Sequence, residues 1–323
     1  MSTPISLDLP EGTRRAIVES ARGPFAALEA LPAAGACELG AALLVPGYTG
    51  SKEDFIPMLA QLAAAGRRVL AVDMRGQHQT PGPDDPDAYH PARLGADIAA
   101  VAEAARTAHL LGHSFGGLVA REAVIGGYTP ASLTLMSSGP SALPGPRAEE
   151  LSSMLSFLDG AAARDLKGKI EEIWHDVLKP QAIADGVPAP LVKFLGERML
   201  TSNPTGMVTM ANHLLTAGDK TDDLAARDIP KFVVYGEDDN AWSPAAQEAM
   251  AARLAAQRTC IPGAAHSPNV EAPATTAHAL TTFWDAAEAR GAVVLRRVVL
   301  RRLRVPAEPD GTPQAPRATR RRR

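Results

Sequence analysis

The chain has 323 residues, 46% hydrophobic and 21% charged, with a formal net charge of −3. This balance excludes a disordered chain, and the lack of any run of about 18 apolar residues excludes a helical membrane span. The first residues, MSTPISLDLPEGTRR, lack the basic and apolar regions of a secretory signal, so the sequence predicts a soluble, cytoplasmic protein. Charge is spread unevenly. From Arg290 onward, eleven arginines face only Glu308 and Asp310, a segment charge of +9 that leaves −12 for the body. Cys37 and Cys260 lie far apart without metal-ligand spacing and read as reduced thiols with no assigned role.

In chain order, short apolar runs ending at turn residues predict buried strands at 41–45, 67–72, 107–111, 131–136 and 231–235, with a shorter one at 259–261. Helix-length segments lie between them, at 54–65, 91–105 and 116–125. Such alternation predicts an α/β fold with a mostly parallel sheet and helices on both faces. The alternation stops between about 140 and 225, where LSSMLSFLDG, KIEEIWHDVLK, APLVKFLGERML and MVTMANHLL read as helices in succession. This predicts a helical insertion at 141–225 between a first core part, 1–140, and a second, 226–289, which contains helices at 244–257 and 271–289. After that, arginine pairs interrupt apolar triplets with neither a 3.6 nor a 2.0 residue period, and the Pro-rich stretch past Val305 predicts a basic, disordered tail over 290–323. Its arginines could make weak contact with an anionic surface. No aromatic residue interleaves them, so no nucleic acid partner is expected.

Within HLLGHSFGGLVARE, Gly112-His113-Ser114-Phe115-Gly116 matches GxSxG between a predicted strand and a predicted helix. This is the setting in which a serine sits on a strained strand-to-helix turn with its hydroxyl exposed. A hydroxyl needs a base to take its proton, and the base needs an orienting partner. His266, in the small-residue loop IPGAAHSPNVEAP after the last short strand, is the candidate base. His113 is expected to point elsewhere, and His78, His90, His109, His175, His213 and His278 read as surface, lid or helix-face residues. For the acid, VVYGEDDNAWSP releases three carboxylates at the end of a strand: Asp239 first, Asp238 as the alternative, Glu237 third. The loop SSGPSALPGP after the earlier strand contains no acid. The backbone N–H groups of Phe115 and of Tyr48, in the turn Pro46-Gly47-Tyr48-Thr49-Gly50, are the candidate oxyanion donors.

Taken together, LLVPGYTGSKEDF, VLAVDMRGQ, LLGHSFGGLVARE, VVYGEDDNAWSP and IPGAAHSPNVEAP resemble, in order and spacing, the α/β-hydrolase superfamily and its bacterial esterase and lipase-like members, over roughly residues 14–289. Two departures stand out. Pro46-Gly47 replaces a frequent His-Gly, and the run Asp73 to Thr80 replaces DxRGxGxS, altering a loop expected at the mouth of the site. The resemblance implies a hydrolase without cofactor or metal, Ser114 as nucleophile, and residues 141–225 as a cap over it. The cap leucines with Met154, Met199, Met207, Met210, Phe157, Phe194 and Trp174 are then candidates to line an acyl pocket, which favours a small-molecule ester with a hydrophobic part. The same fold serves thioesters, amides, carbon-carbon bonds and acyl transfer, and a non-catalytic binding protein is the alternative of another class. A serine nucleophile argues against epoxide hydrolase or haloalkane dehalogenase chemistry.

Overall fold

The computed structural model describes residues 3–35, 39–161 and 163–302. Eight strands form one sheet: β1 (Thr13–Ser20), β2 (Gly23–Ala30), β3 (Leu39–Val45), β4 (Arg67–Val72), β5 (His109–His113), β6 (Ser132–Met136), β7 (Lys231–Gly236) and β8 (Gln257–Ile261). Their spatial order is β1-β2-β4-β3-β5-β6-β7-β8. From β4 to β8 all neighbours are parallel, while β1 pairs β2 and β2 pairs β4 antiparallel. Every predicted strand is present within two or three residues of its expected ends.

The β1–β2 hairpin is an addition to that expectation. Strand β1 lies at the sheet edge with its side chains largely outside the core, Ile17 being 66% exposed, and Arg14 pairs with Glu29 rather than with an apolar neighbour. A strand with so little buried surface leaves a weak alternation in the sequence.

Central strands are buried on both faces, so successive residues feed two different cores. Leu43, Val45, Leu110, Leu133, Leu135 and Val233 join one, with helices α2 (Pro91–Ala105) and α3 (Phe115–Ile125) packed over it. Ala42, Leu44, Leu111, Met136, Phe232 and Val234 join the other, covered by α1 (Ile56–Ala64) and by the part of α12 (Pro273–Arg302) that carries Leu280, Phe283 and Trp284. Continuous apolar runs are what two-sided burial requires.

Among the described residues between β6 and β7 every element is helical: α4 (Gly145–Leu158), α5 (Ala163–Ile173), a π-helical turn (Trp174–Leu178), α6 (Lys179–Ala184), α7 (Ala189–Thr201), α8 (Pro204–Thr216) and α9 (Thr221–Ala225). Leu158, Leu166, Ile170, Trp174, Phe194, Leu195 and Met199 give this segment a core of its own. The sheet resumes with β7, followed by α10 (Pro244–Arg253), β8 and α11 (Pro268–Glu271).

Contacts divide the chain into residues 1–288 and 289–323. Helix α12 runs to Arg302, past residue 290 where the sequence predicts the start of a basic, disordered tail. Ala, Leu and Arg are strong helix formers, and a helical backbone does not require an amphipathic period. The Pro-rich stretch, the terminal arginines and Cys37 lie outside the described residues. Among the described residues no helix is long and apolar enough to cross a membrane.

His109 needs correction as a surface or helix-face residue. It stands in the buried strand β5, bonded through Nδ1 to Ser132 Oγ at 2.8 Å and through Nε2 to Glu288 at 2.8 Å, with its ring stacked on Trp284. Arg67, also fully buried, joins Asp285 and Glu288 at 2.5 Å each and fastens the same helix. These partners come from opposite ends of the chain, so no local pattern reveals them.

A second buried ionic group lies behind the Tyr48 turn. Lys52 Nζ sits 2.7 Å from Asp73 Oδ2 and 3.0 Å from Glu53, while Arg198 on α7 meets Asp54 Oδ1 at 2.7 Å. Asp54 is fully buried, and burial pushes its carboxyl above the ordinary range despite the Arg198 charge. Removing one member of such a pair leaves an uncompensated buried charge. Arg198→Met is therefore expected to destabilise the protein by about 3 kcal/mol and to lower Tm by ~5 °C, read by calorimetry. An unchanged Tm would mean that the pair contributes no net stability.

Candidate active site

Strand β5 ends at His113, α3 begins at Phe115, and Ser114 bridges them at φ 54 and ψ −121. A non-glycine residue rarely holds that conformation, and the surroundings must enforce it. The Ser114 N–H donates to Met136 O at 2.9 Å, and the Gly117 N–H returns to Ser114 O at 2.9 Å. The turn is tight because Gly112 has no side chain: a Cβ there would stand 2.1 Å from Gly116 O. The glycines around the serine thus answer to close backbone approach.

His266 lies in the loop after β8, and its Nε2 is 3.0 Å from Ser114 Oγ. Its Nδ1 is 3.0 Å from Asp239 Oδ1. With the Nδ1 proton directed at the carboxylate, Nε2 is left as an acceptor for the serine hydroxyl. Asp239 is 5% exposed and accepts two further donors, the Ala241 N–H at Oδ1 (2.9 Å) and Gln247 Nε2 at Oδ2 (2.8 Å). Burial alone would raise its pKa, but these hydrogen bonds with the His266 contact hold the carboxyl below its ordinary value. Asp238 and Glu237 are exposed and contact His266 through no side-chain bond; Glu237 instead accepts the Gly263 N–H. The structure therefore brings Ser114, His266 and Asp239 together and leaves Asp238 outside the constellation.

His113 does not simply turn away. It is buried against the His266 loop and donates from Nε2 to His266 O at 2.8 Å. Burial, reinforced by the neighbouring His266, pushes its pKa down to about 3, so it stays neutral and keeps that proton. Glu271 braces the loop from the other side by accepting the Ala265 and Ser267 N–H groups.

The two residues expected to supply oxyanion donors lie on different elements beside Ser114. Phe115 occupies the first position of α3, where an N–H has no partner within the helix. Tyr48 lies in the turn after β3, whose shape is held by Gly50 N–H donating to Gly47 O (3.1 Å) and Gln77 Nε2 donating to the same oxygen (2.9 Å). Gln77 belongs to the 73–80 run expected at the mouth. That run instead lies behind the turn, with no residue in the cavity wall, and its His78 N–H reaches Ser202 Oγ between α7 and α8.

Above Ser114 opens a cavity of about 1400 Å³. Met154, Phe157, Met199 and Met207 line it as expected, with Leu143, Leu151, Ile173, Val177, Leu178 and Leu214. Trp174, Phe194 and Met210 do not: they are absorbed in the packing of the helices. Among the described residues no group of three or more His, Cys, Asp or Glu side chains is arranged to hold a metal ion.

Gln247, Gln77 and Glu271 escaped the sequence reading, and the bond of His113 to the His266 loop was not foreseen, since no motif marks a side chain whose role is to hold a neighbouring loop. Gln247 carries a testable consequence. Without its donor the Asp239 carboxyl rises, so the low-pH edge of activity in Gln247→Leu should move to higher pH and kcat/KM should fall ~10-fold. A pH–rate profile superimposable on the native one would exclude this role.

A family model described as "Alpha/beta hydrolase family" matches residues 42–279. The chain belongs to the alpha/beta hydrolase family. Solved relatives share the fold of this hydrolase: a thermophilic esterase from Thermogutta terrifontis (21% identity, 85% of this chain, 99% of that one, TM-score 0.64) and the enol-lactonase from Burkholderia xenovorans (16% identity, 83% and 99%, TM-score 0.62). A curated relative from Variovorax paradoxus, provisionally named carbamate hydrolase RutD, is 40% identical over 81 residues. That match spans 24% of this chain and 30% of the relative.

Proposed function

We propose that this alpha/beta hydrolase cleaves carboxylic esters through an acyl-enzyme on Ser114, with His266 as base and then acid and Asp239 fixing its tautomer. The observation that carries the reading is the unbroken relay from Asp239 Oδ1 to His266 and from His266 to Ser114 Oγ, 3.0 Å at each step, opening onto the large cavity.

Ser114 Oγ attacks the ester carbonyl carbon as His266 Nε2 takes the hydroxyl proton. The carbonyl electrons move to oxygen, and the Phe115 and Tyr48 N–H groups stabilise the resulting charge. Collapse breaks the bond to the alkoxy group, which leaves with the proton from His266. Water then attacks the acyl carbon, His266 removes its proton, and collapse returns that proton to Ser114 Oγ as the carboxylic acid departs. Residues 141–225 act as a cap, and the methionines and leucines on the cavity wall accept the hydrophobic part of the substrate.

The test combines p-nitrophenyl esters of increasing acyl length with a fluorophosphonate label. Turnover that peaks at one chain length, with one label on the Ser114 peptide, is the expected result. Labelling without ester turnover would redirect the reading to another acyl substrate. No labelling would point to a non-catalytic ligand-binding protein.

A further inference from the structure

Arg147, in the first turn of α4, lines the cavity that opens onto Ser114. It is half-buried, and no described residue forms a hydrogen bond, ion pair or ring contact with it. Glu150, one turn further along the same helix, leaves it unpaired although that spacing allows contact.

Local stability does not account for a cation there. The first turn of a helix is its positive end, where an arginine is disfavoured. Partial burial adds a desolvation cost that no carboxylate offsets. The positive charge is nonetheless felt at the reaction centre: it is one of the influences that keep His113, beside Ser114, unprotonated.

Apart from Tyr48, His113 and His266, the other ionisable groups of the wall are carboxylic acids, and they differ in position or engagement. Glu150, Glu172 and Asp176 are solvent-exposed, and their fields are screened by water and salt. Glu271 already accepts two backbone N–H groups of the His266 loop. Arg147 thus presents an unengaged guanidinium to the cavity, and a guanidinium matches a carboxylate through two parallel N–H donors.

We propose that Arg147 binds a carboxylate carried by the substrate, so that the preferred esters are those with a free carboxylate, such as half-esters of dicarboxylic acids. The proposal rests on the ester-hydrolase reading. It narrows the substrate class from hydrophobic esters to esters with an apolar spacer ending in an anion, since Leu143, Leu151, Met154, Met199, Met207 and Leu214 line the same cavity as Ser114 and Arg147.

The test compares kcat/KM for mono-p-nitrophenyl glutarate with that for p-nitrophenyl pentanoate, in which a methyl group replaces the distal carboxylate. A second pair, 4-carboxyphenyl pentanoate and phenyl pentanoate, places the charge on the leaving group. Each pair is measured in the native protein and in Arg147→Gln, Arg147→Lys and Arg147→Glu. In one of the two pairs the ratio of charged to neutral ester should fall ~10-fold in Arg147→Gln, further in Arg147→Glu, and least in Arg147→Lys, which keeps the charge but loses the planar fork. That pair also tells on which side of the scissile bond the carboxylate sits. Because each ratio is taken within one protein, a loss of folded enzyme cancels. Ratios that stay constant across all four proteins would overturn the role of Arg147 while turnover of the neutral esters upholds the hydrolase reading. Native protein that cleaves none of the four esters would overturn both.

Discussion

Ser114→Ala is expected to lower kcat for ester hydrolysis by ~10⁶-fold, the loss that follows removal of a serine nucleophile from such a triad. Fluorophosphonate labelling should disappear with it. Among the described residues the hydroxyl's only side-chain partner is His266 Nε2, and the strained backbone at Ser114 is held by the Met136 and Gly117 bonds, which alanine retains. The variant should therefore fold as the native protein does, with Tm changed by no more than a few degrees. Residual turnover would come from substrate binding and from the N–H groups of Phe115 and Tyr48 proposed as oxyanion donors, which act whether or not a nucleophile is present. The two residues act as one unit, so adding His266→Ala to Ser114→Ala should cost little more. Turnover in Ser114→Ala within ten-fold of native would place the nucleophile elsewhere.

Much of this arrangement was legible in the sequence because the fold repeats simple signals. Strands buried on both faces appear as uninterrupted apolar runs, and the GxSxG turn must lie between one of them and a helix. Ser114, Asp239 and His266 each lie just past the C-terminal end of a parallel strand, at the same sheet edge, so their meeting follows from the topology once the order of elements is read. The choice between Asp238 and Asp239 was another matter, since both sit in the same turn. What separates them is orientation: one side chain enters a pocket formed by the Ala241 N–H and Gln247, and the other faces water. Hairpin β1–β2 escaped because its edge strand buries too little to alternate clearly. His109 was misread because a histidine in an apolar run carries no mark of its partners Ser132 and Glu288, which lie on other elements. Of the apolar residues between β6 and β7, hydrophobicity alone could not say which face a cavity and which face another helix; Met199 and Trp174 look alike until packed.

The supports of the site share one design. The segments around Ser114 are braced by neighbouring side chains: Gln77 holds the Tyr48 turn, His113 and Glu271 hold the His266 loop, and Gln247 holds Asp239. Held donors and acceptors need not reorganise as charge develops, and electrostatic stabilisation of the transition state depends on that.

Asp239→Asn tests this design at its most demanding position, with an expected fall in kcat of ~10⁴-fold and little loss of stability. At present Oδ1 accepts the His266 Nδ1–H and the Ala241 N–H, while Oδ2 accepts Gln247 Nε2. An asparagine replaces one of these acceptors with a donor. If its amide nitrogen takes the Oδ1 place, it confronts the Ala241 N–H and forces His266 to accept at Nδ1. The ring proton then sits on Nε2, facing Ser114, and the base is lost. If the nitrogen takes the Oδ2 place, the histidine tautomer survives but two amide donors meet, and Gln247 cannot rotate to accept without turning its own carbonyl onto Trp242 O, to which Nε2 now donates at 2.8 Å. The first arrangement abolishes proton transfer, and the second misplaces the ring and removes the charge that stabilises the imidazolium. Asp238→Asn, altering an exposed neighbour of the same type, should leave kcat within ~2-fold of native. Equal losses in the two variants would mean that the turn as a whole, rather than the buried carboxylate, is what His266 requires.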